Sequence, residues 1–248
     1  MQNYVLSYLK QIAGMLQRIE EEEVQAIQQA GKVMADAIIN GKRLFAFGCT
    51  HSSLPVQDLV YRAGGLMLIN PICGPGITAL DIKPATLTSA MERLEGYAKV
   101  LLDNTPIKTG DVLILVSVSG RNPVPVEMAK IARERGITVI GLTSHAYAAS
   151  VTSRHSSGKK MSDFADIVLD NKVDVGDAVL EMKEIPQKFC PASGVTSIAI
   201  LQSLVAAAIQ ACVEAGFTPP VILAANVDGG AEYNAALFEK YHDRIFYM

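Results

Sequence analysis

The 248-residue chain carries 22 lysines and arginines against 25 aspartates and glutamates, a formal charge of -3, and half of it is hydrophobic. A chain of that size and composition can bury a sizeable core, which excludes a disordered segment. Its charge supplies no broad cationic field of the kind that nucleic acid or an anionic membrane surface needs, so a neutral or locally anion-seeking partner is expected.

In chain order, the amino-terminal stretch "MQNYVLSYLKQI" lacks the basic start and long apolar centre of an export signal. Residues 3–40 show helical spacing through Leu6, Leu9, Ile12, Leu16, Ile19, Ile27 and Ile38, and Asn40-Gly41 ends the pattern. This predicts an amino-terminal helical arm. The run Glu20 to Glu23 reads as a solvated face or a break between two helices. A short apolar strand is expected over 43–48, then a helix opening at Ser52 or Ser53 with Pro55 in its first turn. Strand 66–69, a loop with Pro71, Gly74, Pro75 and Gly76, and helix 88–104 follow. A central strand over 111–118, a helix over 125–136 and strands over 137–143 and 165–170 complete the alternation. The segment "GDAVLE" (176–181) reads as a turn and a buried contact.

Residues 195–213 approach the roughly 20 apolar residues of a membrane span. Ser197, Gln202, Ser203 and Gln210 interrupt them, and Leu201, Leu204, Val205, Ala208 and Cys212 share one stripe, so a buried helix is expected and no membrane contact. The last segment, with Tyr233, Phe238, Tyr241 and Phe246, reads as packing or an oligomer contact. Cys49, Cys73, Cys190 and Cys212 have no CxxC spacing; reduced, buried thiols in a cytoplasm are expected, with no metal site.

Near-continuous Val/Ile/Leu strands separated by helices predict an α/β fold, a parallel sheet covered on both faces, in one domain spanning 1–248. Ligands of such sheets sit beyond the carboxyl ends of the strands. Two turns at that rim draw attention. In "VSVSGRNP", Ser117, Ser119, Gly120, Arg121 and Asn122 lie where a strand passes into a helix, among unpaired backbone N–H groups and a positive dipole. A phosphate fits there; alternatively Ser119 or Asn122 caps the helix and Gly120 only makes the turn. "FGCTHSS" repeats the form with Thr50, His51, Ser52 and Ser53. There is no GxxxxGK[ST] and no GxGxxG, and Asn70 rather than an acidic residue ends the second strand, so no nucleotide, nicotinamide or flavin cofactor is expected.

"FAFGCTHSS" and "ILVSVSGRNPVPVEMAKIARERGITVIGLTS", in that order, resemble the SIS (sugar isomerase) family of phosphosugar-binding domains. "YRAGGL", "ERLEGYAKVLLDN", "HSSGKKMSDFADIVLDN" and "NVDGGAEYN" are similar to a SIS subgroup related to phosphoheptose isomerases. The resemblance implies a three-layer αβα sandwich with a five-stranded parallel sheet, pairing as homodimers or homotetramers, and a sugar phosphate held by Ser52, Ser53, Ser117, Ser119 and Asn122. It further implies an aldose-ketose isomerase, a related lyase or etherase, or a noncatalytic phosphosugar sensor. Aldose-ketose isomerisation needs a carboxylate base and a second acid/base group. By the resemblance Asp58 stands where these enzymes carry an acid after the first phosphate loop. Asp58 and Arg62 at i, i+4 also suit a plain surface pair. The isomerases use a histidine on the late helix, and residues 195–213 have none. His51 inside the first loop and His155 in "SRHSSGKK" are the histidine candidates. Glu92 and Glu95 follow the Pro/Gly loop, and Glu95 is carried with Asp58, His51 and His155 as a catalytic candidate.

Overall fold

The computed structural model describes residues 3–79 and 82–248, so the first two residues of the stretch read against export lie outside it. Helices α1 (Tyr4–Glu22) and α2 (Val24–Ile39) form the amino-terminal part. Then come β1 (Leu44–Gly48), α3 (Ser53–Leu59), β2 (Ile69–Pro71), α4 (Thr86–Met91), α5 (Tyr97–Asp103) and β3 (Val112–Val116). They are followed by α6 (Pro123–Glu134), β4 (Thr138–Thr143), α7 (His145–Ser150), β5 (Ile167–Asp170), β6 (Ala178–Met182) and β7 (Ile185–Pro191). Helices α8 (Ser193–Glu214) and α9 (Gly230–Lys240) close the order.

Strands β1 to β5 form one parallel sheet in the order β2-β1-β3-β4-β5. Alternation along a strand sends successive side chains to opposite faces, so a parallel strand buried on both sides must be apolar throughout. In β3, Val112, Ile114 and Val116 join the layer containing Met34, Ile38, Ile200 and Leu204, from α2 and α8. Leu113 and Leu115 join the other layer, with Leu101, Leu102, Met128 and Ala129 from α5 and α6. The α/β sandwich expected from the sequence is the observed architecture.

Among the described residues α8 is the one helix long and apolar enough to cross a membrane. Ile200, Leu201, Leu204, Val205, Ala208 and Cys212 bury its stripe in the core. The alanines allow α2 to approach closely: a Cβ added at Gly31 would lie 2.5 Å from Ala207 Cβ and 2.9 Å from the Ala207 carbonyl carbon. Gly31→Ala is therefore expected to destabilise the protein by about 1–3 kcal/mol through overpacking. Urea unfolding reads the loss; an unchanged midpoint would contradict the close approach.

Several features differ from the sequence reading. Cys49 and Cys212 are buried as expected, but Cys73 and Cys190 are exposed. The break between two helices read for Glu20–Glu23 falls at Glu23, but that residue is buried rather than solvated, and its carboxylate accepts from Asp170 N at 3.1 Å. Helix 88–104 is two helices because Gly96 takes φ +89°, a turn that few side chains tolerate. The strand expected over 66–69 starts at Ile69, since the backbone just before it is drawn away: Gly64, Gly65 and Met67 pair with the 220–222 segment. Residues 176–181 lead into the β6–β7 hairpin, whose Lys183-Glu184 turn lacks the Asn-Gly or Asp-Gly signal of a tight hairpin. At the carboxyl end, Phe246 stacks on Phe45 with centroids 6.1 Å apart, and Phe238 and Tyr247 pack on Tyr61, which is the packing role.

Candidate functional site

The strand order reverses between β1 and β3, which is where an open α/β sheet leaves a crevice beyond its carboxyl edge. Gly48 stands opposite Val116 in the β1–β3 register, so the two polar turns leave the sheet side by side. At Gly48 a Cβ would sit 2.2 Å from the Ser52 carbonyl oxygen, and only glycine permits that fold-back. Gly120 makes the second turn at φ +60°. Both turns open into one cavity of about 570 Å³.

Thr50, His51, Ser52, Ser117, Ser119 and Asn122 line this cavity. The opposite wall comes from Tyr147 of α7, Gly176 and Asp177 before β6, and Ser193, Gly194, Val195 and Ser197 at the start of α8. The Asp177 carboxylate is spent on that helix end, accepting from Ala192 N at 3.1 Å, Ser193 N at 2.7 Å and Ser193 Oγ at 2.6 Å. In contrast, the side chains of Thr50, His51, Ser52, Ser117 and Ser119 make no hydrogen bond with the described residues. Asn122 stands at the N-cap of α6 without capping it: its Oδ1 accepts from Arg154 Nη1 at 3.0 Å, and its amide bonds the Glu92 carboxylate. The reading in which Ser119 or Asn122 merely caps the helix does not describe this turn.

The remaining candidates lie elsewhere. Ser53 is buried and its Oγ holds the first turn together, donating to Thr50 O at 2.6 Å and accepting from Ala79 N at 3.1 Å. Gly120 shapes its turn, and Arg121 does not reach the cavity wall. Asp58 is taken up by Arg62 and by Gln202 Nε2 at 2.9 Å, the latter a partner on α8 that no local spacing announces. Glu95 is bound by Ser156 through its Oγ at 2.7 Å and its N at 2.6 Å, bonds that hold its carboxyl below the usual range. His155 is buried, with Nδ1 2.7 Å from Ser157 Oγ. Among the described residues no cluster of three or more His, Cys, Asp or Glu side chains is placed to hold a metal ion.

Residues 7–144 match the family model of the SIS domain. The chain belongs to the SIS-domain family. The chain is also similar over nearly its whole length to curated relatives. A UPF0309 protein of Streptomyces coelicolor is 49% identical over 240 residues, 97% of this chain and 96% of that protein. One from Shouchella clausii is 44% identical over 99% of this chain and 100% of that protein. Among solved structures, a phosphoheptose isomerase from Neisseria gonorrhoeae superposes with a TM-score of 0.58 at 17% identity, covering 84% of this chain and 97% of its own. The Vibrio vulnificus NanR protein complexed with ManNAc-6P gives 0.51 at 14% identity, covering 97% of this chain and 70% of its own. At these identities the superpositions establish the SIS fold.

One cavity residue of this SIS domain is not the one the sequence singled out. Of the two neighbouring glutamates it is Glu92, at the end of α4, that lines the site. Its carbonyl accepts from Val124 N at 3.1 Å, fastening the loop after α4 to the first turn of α6. Burial pushes the Glu92 carboxyl above the usual range, while the bond from Asn122 and the charges of Arg93 and Arg154 pull in the other direction. A half-buried acid whose value is raised by burial, beside free hydroxyls, is suited to take and return a proton. Both glutamates follow the end of α4 at Met91: Glu92 faces the cavity, while Glu95 is held outside it by Ser156.

Proposed function

We propose that the chain binds a phosphorylated sugar in this cavity and interconverts its aldose and ketose forms. The phosphoryl group sits against the Ser117–Asn122 and Thr50–Ser52 turns, where hydroxyl donors and the amino end of α6 favour an anion. Glu92 takes the proton from the carbon beside the carbonyl and returns it to the neighbouring carbon. His51 moves the hydroxyl proton between the two oxygens, and the sugar carries no net change in composition. The observation that supports this reading is the set of free hydroxyls on two adjacent-strand turns that share one cavity with a carboxyl of raised value. Membership of the SIS family and the fold shared with a phosphoheptose isomerase point the same way.

The test is incubation with a panel of hexose and heptose phosphates in deuterated water. Deuterium entering at the carbon beside the carbonyl is the expected result. Thermal protection by a sugar phosphate without any exchange would overturn the isomerase and leave a sensor. Ser119→Ala is expected to weaken sugar phosphate binding by about 1 kcal/mol or more, from one lost charge-assisted hydrogen bond. Calorimetry giving unchanged affinity would remove the phosphoryl group from this turn.

A further inference from the structure

Three loops bring three arginines together beside the cavity: Arg93 follows α4, Arg121 lies in the β3–α6 turn and Arg154 follows α7. Arg154 is tied to both the turn and the cavity wall, its N donating to Arg121 O at 2.9 Å and its Nη1 to Asn122 Oδ1 at 3.0 Å. None of the three makes an ion pair with a described residue. The Arg121 Nε is buried and has no hydrogen-bond partner. Partial loss of water, followed by the charges of Arg121 and Arg93, holds the Arg154 guanidinium below its ordinary value. The carboxylate acting on it is Glu92, whose own value is raised and whose bond is to Asn122.

Like charges that act on one another, with the buried Arg121 Nε unused, are unfavourable in the free protein and favourable around an anion. This cluster is not the phosphoryl site, because Arg121 stays off the cavity wall while the free hydroxyls of Ser117 and Ser119 are on it. Asn122 and Glu92 lie between the two. Guanidinium groups match planar or multiply bonded oxyanions by paired N–H donors. Resting on the sugar-phosphate reading above, we infer that the ligand carries a second oxyanion, a carboxylate or a second phosphoryl, which docks on Arg93, Arg121 and Arg154.

Calorimetry at low salt would compare fructose 6-phosphate, 6-phosphogluconate and fructose 1,6-bisphosphate on the wild type and on Arg93→Gln/Arg154→Gln, a pair of exposed positions. At least one doubly anionic probe is expected to bind the wild type about tenfold more tightly than fructose 6-phosphate, and the double variant to lose that advantage. Preference for 6-phosphogluconate alone would assign a carboxylate, and for the bisphosphate alone a second phosphoryl group. Fructose 6-phosphate should lose less affinity in the double variant than the preferred doubly anionic probe, because Arg154 also supports Asn122 beside the phosphoryl turn. Equal affinity for all three probes, or an advantage that survives the double variant, would overturn this inference while leaving the sugar phosphate site in place. Failure of every probe to bind would overturn both.

Discussion

Glu92→Gln is expected to reduce deuterium exchange into a sugar phosphate by about 10²–10⁴-fold, the usual contribution of a positioned acid/base group. Binding should persist, since the phosphoryl group rests on hydroxyls and backbone N–H groups that the substitution does not touch. The same change is expected to stabilise the protein increasingly as pH rises above the ordinary glutamate value. In the folded state the Glu92 carboxyl is raised by burial, so the folded chain holds that proton more tightly than the unfolded one. Its contribution to stability is present below the ordinary glutamate value of about 4.3 and is lost as pH rises through the raised value. Glutamine has no such titration. The melting temperature of Glu92→Gln relative to wild type should therefore grow from pH 4 upward, and a difference that stays flat with pH would contradict the buried carboxyl. Full exchange in the variant would move the base elsewhere.

The largest loss of stability is expected at Lys172. This residue follows β5 at φ +60°, with its side chain only 8% exposed, and its Nζ lies 2.6 Å from Glu23, 3.0 Å from Glu22 and 3.2 Å from Asp170. Glu23 and Asp170 are themselves 8% and 10% exposed. The network pins the junction of α1 and α2 to the end of β5, and Arg18 Nη2 adds a bond to Lys172 O at 2.8 Å. Lys172→Met keeps the stem and removes the charge, leaving two buried carboxylates without their cation. Breaking such a cluster from one side costs about 3–5 kcal/mol. Burial lowers the Lys172 ammonium's value, but its bonds to Glu23, Glu22 and Asp170 outweigh burial and hold it above the ordinary range. The stabilisation is thus full below about pH 10.4 and fades only as alkaline pH passes the raised value. Urea unfolding at pH 7 with a loss under about 1 kcal/mol would show that the network is solvated rather than buried.

The sheet was legible in the sequence because parallel strands covered on both faces need unbroken apolar runs, as in "VLILV" and "TVIGLT". The two turns were legible because a hydroxyl-rich stretch between such a run and a helix has few structural uses. What the sequence could not carry are the contacts between distant segments. Asp58 was judged against Arg62 four residues away, but its other partner, Gln202, is 144 residues along the chain. His155 and Glu95 sit in polar stretches that read as site loops, and both are engaged by serines at positions 157 and 156. Glu92 and the three arginines converge only through the loops after α4, β3 and α7, and neither helix break nor loop path has a local signature. The hairpin escaped because its turn is charged rather than glycine-bearing, and the "EEEE" run hid a buried residue because three of its four carboxylates are exposed.

A crystal structure with a bound sugar phosphate tests the central claim most directly. The phosphoryl oxygens should lie about 3 Å from the hydroxyls of Ser117 and Ser119 and from backbone N–H groups of the Ser119–Asn122 turn, since Pro123 and Pro125 carry no N–H and those of Val124 and Val126 are already bonded. Phosphoryl density anywhere outside the space between the β1 and β3 turns, with those hydroxyls left unbound, would contradict it.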